Sequence, residues 1–171
     1  IRFEILTSFF DCRGKAILDI GCGFGDVNRV LQRSYGDEYR YLGIDLVESL
    51  LDEGRKRYPG EHIRFVQGDF LESELLAGPF DIVIASGIFN HKFATTENYT
   101  FISQSIDWAF AACTEGIAFD FLSDKVDFRA PHTFHSSPER ILTMAYQHSR
   151  NVVLRNDYIP FEFSLCIAKD Q

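Results

Sequence analysis

The chain has 171 residues, 46% of them apolar and 25% charged, with a formal net charge of −8 at pH 7. That length suits one domain of roughly 100–200 residues, expected here over 1–171, and the apolar share is enough for a full core. The only dense basic run, Arg55–Arg57, follows Asp52 and Glu53, so the footprint of a DNA- or RNA-binding surface is missing and a small molecule or a protein is the expected partner.

In chain order, Ile5, Leu6, Phe9 and Phe10 form an apolar stripe at helical spacing over 1–12. Gly14-Lys15 opens a first strand, Ala16–Ile20. Asp26 starts a helix with Val27, Val30 and Leu31 on one face, and Gly36 suits its C′ position. Tyr41–Ile44 reads as strand two, Val47–Tyr58 as a helix stopped by Pro59-Gly60, and Ile63–Gln67 as strand three before a Gly68-Asp69 turn. A short helix is expected over Glu72–Leu76, ended by Gly78-Pro79. Phe80–Ala85 is a nearly all-apolar strand four, which predicts a central position. A loop over 86–96 leads to the longest helix, Glu97–Cys113. Gly116–Leu122 is strand five, and 123–136 has no clear period. Ser137-Pro138 is an N-cap followed by proline at N1, opening a helix to about His148. Val152–Arg155 and Phe163–Ala168 close the chain as two strands. Alternating strands and helices imply βαβ units and an open α/β sheet, whose ligands bind at the carboxyl ends of the strands.

Four scattered cysteines, Cys12, Cys22, Cys113 and Cys166, form no C-x-x-C pair and no zinc spacing with histidine, so reduced thiols, a cytoplasmic setting and no metal are expected. Charge interrupts every long apolar stretch, which predicts no membrane span. The chain begins at Ile1, and an N-terminal cap segment upstream of it is expected.

The stretch Ile17–Val27, ILDIGCGFGDV, carries the functional signal. A strand ending in Asp19 runs into Gly21, Gly23 and Gly25, and Asp45 ends the next strand twenty residues beyond the last glycine. Glycines let the backbone turn sharply and let a ligand approach main-chain N–H groups. A carboxylate at that distance suits the hydroxyls of a ribose. The dinucleotide fingerprint is G-x-G-x-x-G, with a helix N-terminus aimed at a pyrophosphate. Here the spacing is G-x-G-x-G, flanked by Asp19 and Asp26, whose charges would repel a pyrophosphate and attract an ammonium group.

This segment resembles motif I of the class I S-adenosylmethionine-dependent methyltransferases, whose ligand carries an adenosine, a sulfonium and an amino acid. The resemblance implies a Rossmann-like, doubly wound, three-layer αβα fold. Its seven-stranded sheet would have the order 3-2-1-4-5-7-6, with the last strand antiparallel. It assigns Asp19 to the methionine ammonium, directly or through water. Gly21, Cys22, Gly23 and Gly25 would form the loop beside the methionine part, with Cys22 a small filler and not a nucleophile. Asp45 would hold the ribose and Leu46 would pack on the adenine. Gly68, Asp69 and Phe70 resemble the third motif, with Asp69 accepting from the adenine amino group and Phe70 offering its N–H or ring. Ser86 stands after strand four, where sulfonium and substrate meet. From the residues alone, Asp19 also suits a turn-ordering role, Asp45 a helix N-cap and Asp69 a turn.

The implied reaction is methyl transfer to a small-molecule acceptor by in-line displacement, with S-adenosylhomocysteine as product. The chain has Ser86-Gly87-Ile88-Phe89 where base N-methylating families carry Asn/Asp-Pro-Pro-aromatic, which argues against nucleic-acid substrates. A sulfonium methyl is already activated, so alignment supplies most of the effect, and a base is needed only for a protonated acceptor. No catalytic residue stands out. The candidates are His132, His135 and Asn90, with His91 beside them, each of which also suits a plain loop role. Asp120, near the end of strand five, would face the cleft or cap the next turn. Phe89, Phe93, Tyr99, Phe128, Phe134, Tyr158 and Phe161 are candidates for a substrate pocket or for packing. Two other readings stand beside this one: a non-catalytic cofactor-binding protein, and a nicotinamide-dependent oxidoreductase, against which the glycine spacing counts.

Overall fold

A computed structural model describes residues 1–72, 78–94 and 97–170. Its elements are α1 (Arg2–Thr7), β1 (Ala16–Ile20), α2 (Asn28–Tyr35), β2 (Arg40–Asp45), α3 (Glu48–Arg57), β3 (Ile63–Gln67), β4 (Phe80–Ala85), α4 (Asn98–Ala112), β5 (Cys113–Leu122), α5 (Pro138–Ala145), β6 (Asn151–Arg155) and β7 (Glu162–Ala168). The strands form one seven-stranded sheet in the order β3-β2-β1-β4-β5-β7-β6. The first five run parallel, and β7 pairs antiparallel with both β5 and β6. The expected order and strand sense are those observed. The helix expected over Glu72–Leu76 falls almost entirely on 73–77, outside the described residues.

Both faces of the sheet are covered by apolar side chains, and strand alternation decides which face each serves. Leu18 and Ile20 of β1, Val83 and Ala85 of β4 and Ile117, Phe119 and Phe121 of β5 pack with Ile102, Ile106 and Ala109 of α4 and Ile141 of α5. Ile17 of β1, Ile82 and Ile84 of β4 and Ala118 of β5 pack on the other side with Leu6 of α1 and Val27 and Leu31 beside or in α2. On that second side α3 lies so close to β3 that a Cβ on Gly54 would stand 2.9 Å from the Phe65 ring.

Local chemistry explains the helix ends. Gly36 closes α2 at φ 59°, a conformation that suits glycine. Ser137 caps α5 by accepting from the Arg140 N–H at 3.2 Å, with Pro138 inside the first turn. The N-terminal stripe, expected as a helix over 1–12, stops at Thr7. There the hydroxyls of Thr7 and Ser8 donate to the carbonyls of Phe3 and Ile5, both at 2.7 Å, and compete with continued helix bonding. Phe9 and Phe10 still pack against the α1–α2 side of the sheet. Among the described residues no helix is long and apolar enough to cross a membrane.

Candidate functional site

A cavity of about 480 Å³ opens at the carboxyl ends of β1, β2 and β4, where β1 separates a sheet half growing one way from a half growing the other. Its size lies within the roughly 300–1,000 Å³ typical of small-molecule and cofactor sites. Gly21, Gly23, Asp45, Leu46, Gly68, Asp69, Phe70 and Ser86 all line it. Four separate segments of the sequence reading are thus brought together, at the ends of the parallel strands β1, β2, β3 and β4. Cys22, Gly25 and Asp19 stand behind this lining.

Close approach explains the first glycine. A Cβ on Gly21 would stand 2.1 Å from Cγ2 of Ile88, so the loop after β1 lies directly on the loop after β4, and its φ of 67° also favours glycine. Three of the loop's N–H groups are not open to a ligand, which corrects the expectation from the motif. Gly21 N–H and Cys22 N–H both donate to the Ile44 carbonyl, at 2.8 and 3.1 Å. Gly23 N–H donates to Oδ2 of Asp45 at 2.8 Å. Anion cradles need such donors free. With three of them spent, this loop is poorly suited to a pyrophosphate.

Asp45 holds two parts of the site at once. Its Oδ2 takes the Gly23 bond, and its Oδ1 accepts from Val47 N–H at 3.0 Å, at the entry to α3. The carboxylate therefore orders the helix entry, as an N-cap reading suggests, while still lining the cavity. Asp69 lines it in a similar way, with Oδ1 accepting from Leu71 N–H at 2.9 Å. Leu46 is 67% exposed, an apolar flap at the mouth. Phe70 is buried, with its ring edge-on to Trp108 at 5.4 Å between centroids.

Asp19 is buried and accepts from the Tyr41 hydroxyl at 2.7 Å. Burial raises its carboxyl to about 7, with the charges of Asp45 and Asp120 adding to the rise. The same Tyr41 oxygen lies 3.2 Å from where a Gly25 Cβ would stand and 2.9 Å from one on Gly43. It is a hub behind the glycine loop, and Asp19 acts on that loop from beneath. Burial also pushes the Cys22 thiol up, which leaves it unreactive as a nucleophile. Asp26 turns outward to the Tyr58 hydroxyl at 3.0 Å and to Arg57. The basic run is likewise engaged: Arg55 pairs with Glu48 and Asp52 at 2.7 Å, and Lys56 and Arg57 pair with Glu53.

Past β4 the cavity wall is apolar, with Ile88, Phe93 and Phe101 beside Gly87. Leu50 and Phe101, absent from the sequence reading, join the lining because α3 and α4 begin at the cavity rim. Helical position alone gave them no functional signal. Phe89 is 1% exposed and stacks on Phe121 at 4.9 Å, so it is core. Tyr99 carries the Arg140 guanidinium on its ring and packs edge-on to Phe134. Tyr158 bonds Ser164, while Phe128 and Phe161 are exposed on loops.

The polar candidates lie outside this lining. His135 Nδ1 bonds the Ser123 carbonyl at 2.8 Å and Nε2 bonds Thr133 Oγ1 at 3.0 Å, so both nitrogens serve the 123–136 loop. His132 and His91 are exposed, and their backbones pair that loop with the one after β4. Asn90 Oδ1 accepts from Leu122 N–H at 3.2 Å, tying the two strand ends together. Asp120 neither caps a turn nor enters the cleft directly: it grips Ser86 and Gly87. Among the described residues no group of three or more His, Cys, Asp or Glu is placed to hold a metal ion.

Comparison with known proteins adds to this geometry. A family model described as a methyltransferase domain matches residues 17–109, more than half of the chain. A demethylmenaquinone methyltransferase of Lactococcus lactis is 33% identical over 93 residues, covering 52% of this chain and 37% of the relative. A malonyl-[acyl-carrier protein] O-methyltransferase of Halalkalibacterium halodurans is 28% identical over 98 residues, covering 55% and 35%. The chain thus spans less than two fifths of the length of these curated relatives. Among solved structures, a magnesium protoporphyrin IX methyltransferase from Synechocystis with bound SAH aligns with a TM-score of 0.75 at 14% identity, over 98% of this chain and 80% of that one. The human N-acetylserotonin methyltransferase in complex with SAM aligns with a TM-score of 0.73 at 16% identity, over 100% and 52%. At such identities the structural likeness speaks for the fold.

Proposed function

The chain belongs to the methyltransferase-domain family, and from that premise we propose that it transfers a methyl group from S-adenosylmethionine to a small-molecule acceptor. The observation that carries this reading is the single cavity into which Gly21, Gly23, Asp45, Gly68, Asp69, Phe70 and Ser86 all project from separate strand ends. Asp45 and Asp69 offer carboxylate oxygens at one end, suited to ribose hydroxyls and an adenine amino group. The glycine loop has spent three of its N–H groups internally, which suits a cationic ligand better than a phosphate. When bound, the cofactor supplies an already activated methyl group. The residues of the chain therefore need to align the acceptor and keep water away.

Ile88, Phe93 and Phe101 give that acceptor an apolar wall beside Ser86 and Gly87. The relative named for demethylmenaquinone supports a small-molecule acceptor with an apolar body. No histidine lines this wall, so the reaction proceeds by proximity and orientation unless the acceptor needs a proton removed.

Calorimetric titration with S-adenosylhomocysteine, with NADH as control, tests the reading. Micromolar binding of the first ligand alone is the expected result. Binding of NADH alone would replace this reading with hydride transfer, and binding of neither would remove the cofactor assignment.

A further inference from the structure

Asp120 is a buried charge whose partner the fold does not provide. It lies on β5 with 2% of its surface exposed, and Ala118, two residues earlier on the same face, packs toward α1 and α2. Its Oδ1 accepts from Gly87 N–H at 2.7 Å and its Oδ2 from Ser86 Oγ at 2.5 Å. None of the ion pairs among the described residues includes it. Arg2 on α1 is near enough to be felt, yet its guanidinium is bonded through two nitrogens to Glu162 on β7, which offsets it. Tyr158 bonds Ser164, the residue paired with Asp120 across the sheet, and the buried Asp19 carboxyl is also near enough to be felt. A carboxylate withdrawn from water without a cation is costly, and burial accordingly holds the Asp120 carboxyl above its usual range. Two hydrogen bonds offset part of that cost. The rest is relieved if a positive charge arrives from the cavity that Ser86 and Gly87 line.

The bond directions sharpen this. Ser86 has one hydroxyl hydrogen, and it points at Asp120. Only oxygen lone pairs remain to face the cavity. Across from it, Gly21, Cys22 and Gly23 have directed their N–H groups elsewhere. The wall from Ser86 to the glycine loop therefore presents acceptors and negative charge, with Asp45 next along it where it takes the Gly23 N–H. The cofactor reading above seats the nucleoside at Asp45 and Asp69, which leaves Ser86, on the same cavity, for the sulfur part of the ligand.

We propose that Asp120, acting through Ser86, is a positioning residue that makes this end of the cavity prefer the sulfonium form of the cofactor to its neutral thioether product. The proposal rests on the S-adenosylmethionine reading above. It assigns Ser86 as the contacting atom and Asp120 as the source of its polarity. Asn at 120 would keep an oxygen for the Gly87 N–H but turn its NH₂ toward Ser86. The serine hydrogen would then swing toward the cavity and oppose a cation there.

The test compares dissociation constants of S-adenosylmethionine and S-adenosylhomocysteine, measured by calorimetry on the full chain. In Asp120→Asn the sulfonium ligand is expected to weaken about tenfold and the thioether less than twofold. Ser86→Ala is expected to shift the same ratio about threefold, and Ser86→Thr to restore it. If Asp120→Asn does not fold, the Ser86 pair decides the matter. Equal weakening of both ligands, which a purely structural grip predicts, overturns the proposal, as does an unchanged ratio. Failure of the unsubstituted chain to bind either ligand overturns the cofactor reading and this inference with it, whereas binding of both with a fixed ratio overturns this inference alone.

Discussion

The two ends of the cavity are built by different means. On the β1–β3 side the wall is short turns: glycines packed against neighbouring side chains, and carboxylates that hold backbone N–H groups two residues on. On the β4–β5 side it is side chains held by other side chains, with Phe93 and Phe101 edge-on at 5.3 Å and Ser86 held by Asp120. A turn built from backbone leaves a spacing in the sequence. A wall built from packed side chains leaves only composition. The difference explains why the β1–β3 side, proposed for the cofactor, can be read from residue order while the β4–β5 side, proposed for the acceptor, cannot.

The largest effect is expected at Gly21. Gly21→Ala forces a side chain into a φ of 67° and toward Cγ2 of Ile88. Strain of about 1–2 kcal/mol and overpacking of about 1–3 kcal/mol are expected to abolish S-adenosylhomocysteine binding and lower the melting temperature. Adding Ile88→Ala should recover part of the stability, and a cycle of the two variants measures the coupling. Independent, additive effects would mean the two loops do not bear on each other.

Next in size is Asp19. Its carboxyl is raised to about 7 in the folded chain, chiefly by burial, against about 3.9 when unfolded. The folded chain thus keeps a proton that the unfolded chain has already lost. Stability from this group is full below pH ~4 and is lost as pH rises to about 7. Asp19→Asn keeps an acceptor for the Tyr41 hydroxyl and cannot titrate. It is expected to exceed the unsubstituted chain by roughly 2–4 kcal/mol at pH 8, with the gap closing toward pH 4, in melts across that range. A gap independent of pH would show that the site beneath the glycine loop is wetter than its burial implies.

Asp45→Ala should weaken S-adenosylhomocysteine by about 1.5–3 kcal/mol, since charge-assisted hydrogen bonds are lost. The same substitution frees the Gly23 N–H, so added phosphate is expected to bind the variant more strongly than the unsubstituted chain, a sign that the loop's preference for cations is maintained from Asp45.

The smallest effects belong to the far side. His132→Ala should leave both cofactor affinity and stability unchanged within error. His135→Ala should cost about 1 kcal/mol of stability through its two loop bonds while leaving cofactor affinity within twofold. A large loss of affinity in either would join the 123–136 loop to the cofactor end and erase the contrast.

Much of the architecture was legible because apolar runs and alternation mark strands directly: Ala16–Ile20, Ile63–Gln67 and Phe80–Ala85 match the observed spans. The length of α1 was not, because a competing hydroxyl at Thr7 or Ser8 weighs little against an apolar stripe until its acceptor is known. At the site, the spacing of Gly21, Gly23 and Asp45 gave their convergence but not the bond between Gly23 and Asp45, which depends on β1 and β2 lying side by side. The grip of Asp120 on Ser86 joins residues on two strands and has no local signature. His135 has the residue type of a base and the surroundings of a strut, a distinction made only by the Ser123 carbonyl and the Thr133 hydroxyl beside it.

The place of β7 bears on how the chain assembles. It is the last strand in chain order, yet it lies inside the sheet, with β5 on one side and β6 on the other. As the chain emerges during synthesis, β5 can dock on β4 before β7 exists, leaving its other edge bare. That edge is the Gly116–Leu122 backbone of a strand rich in apolar residues, and it stays unpaired until Glu162–Ala168 has left the ribosome. An unpaired apolar edge is a template for mispairing. The half that carries the glycine loop is thus complete while the molecule is still at its most aggregation-prone, and on the cofactor assignment proposed above a ligand present during translation would stabilise the nascent sheet through that interval.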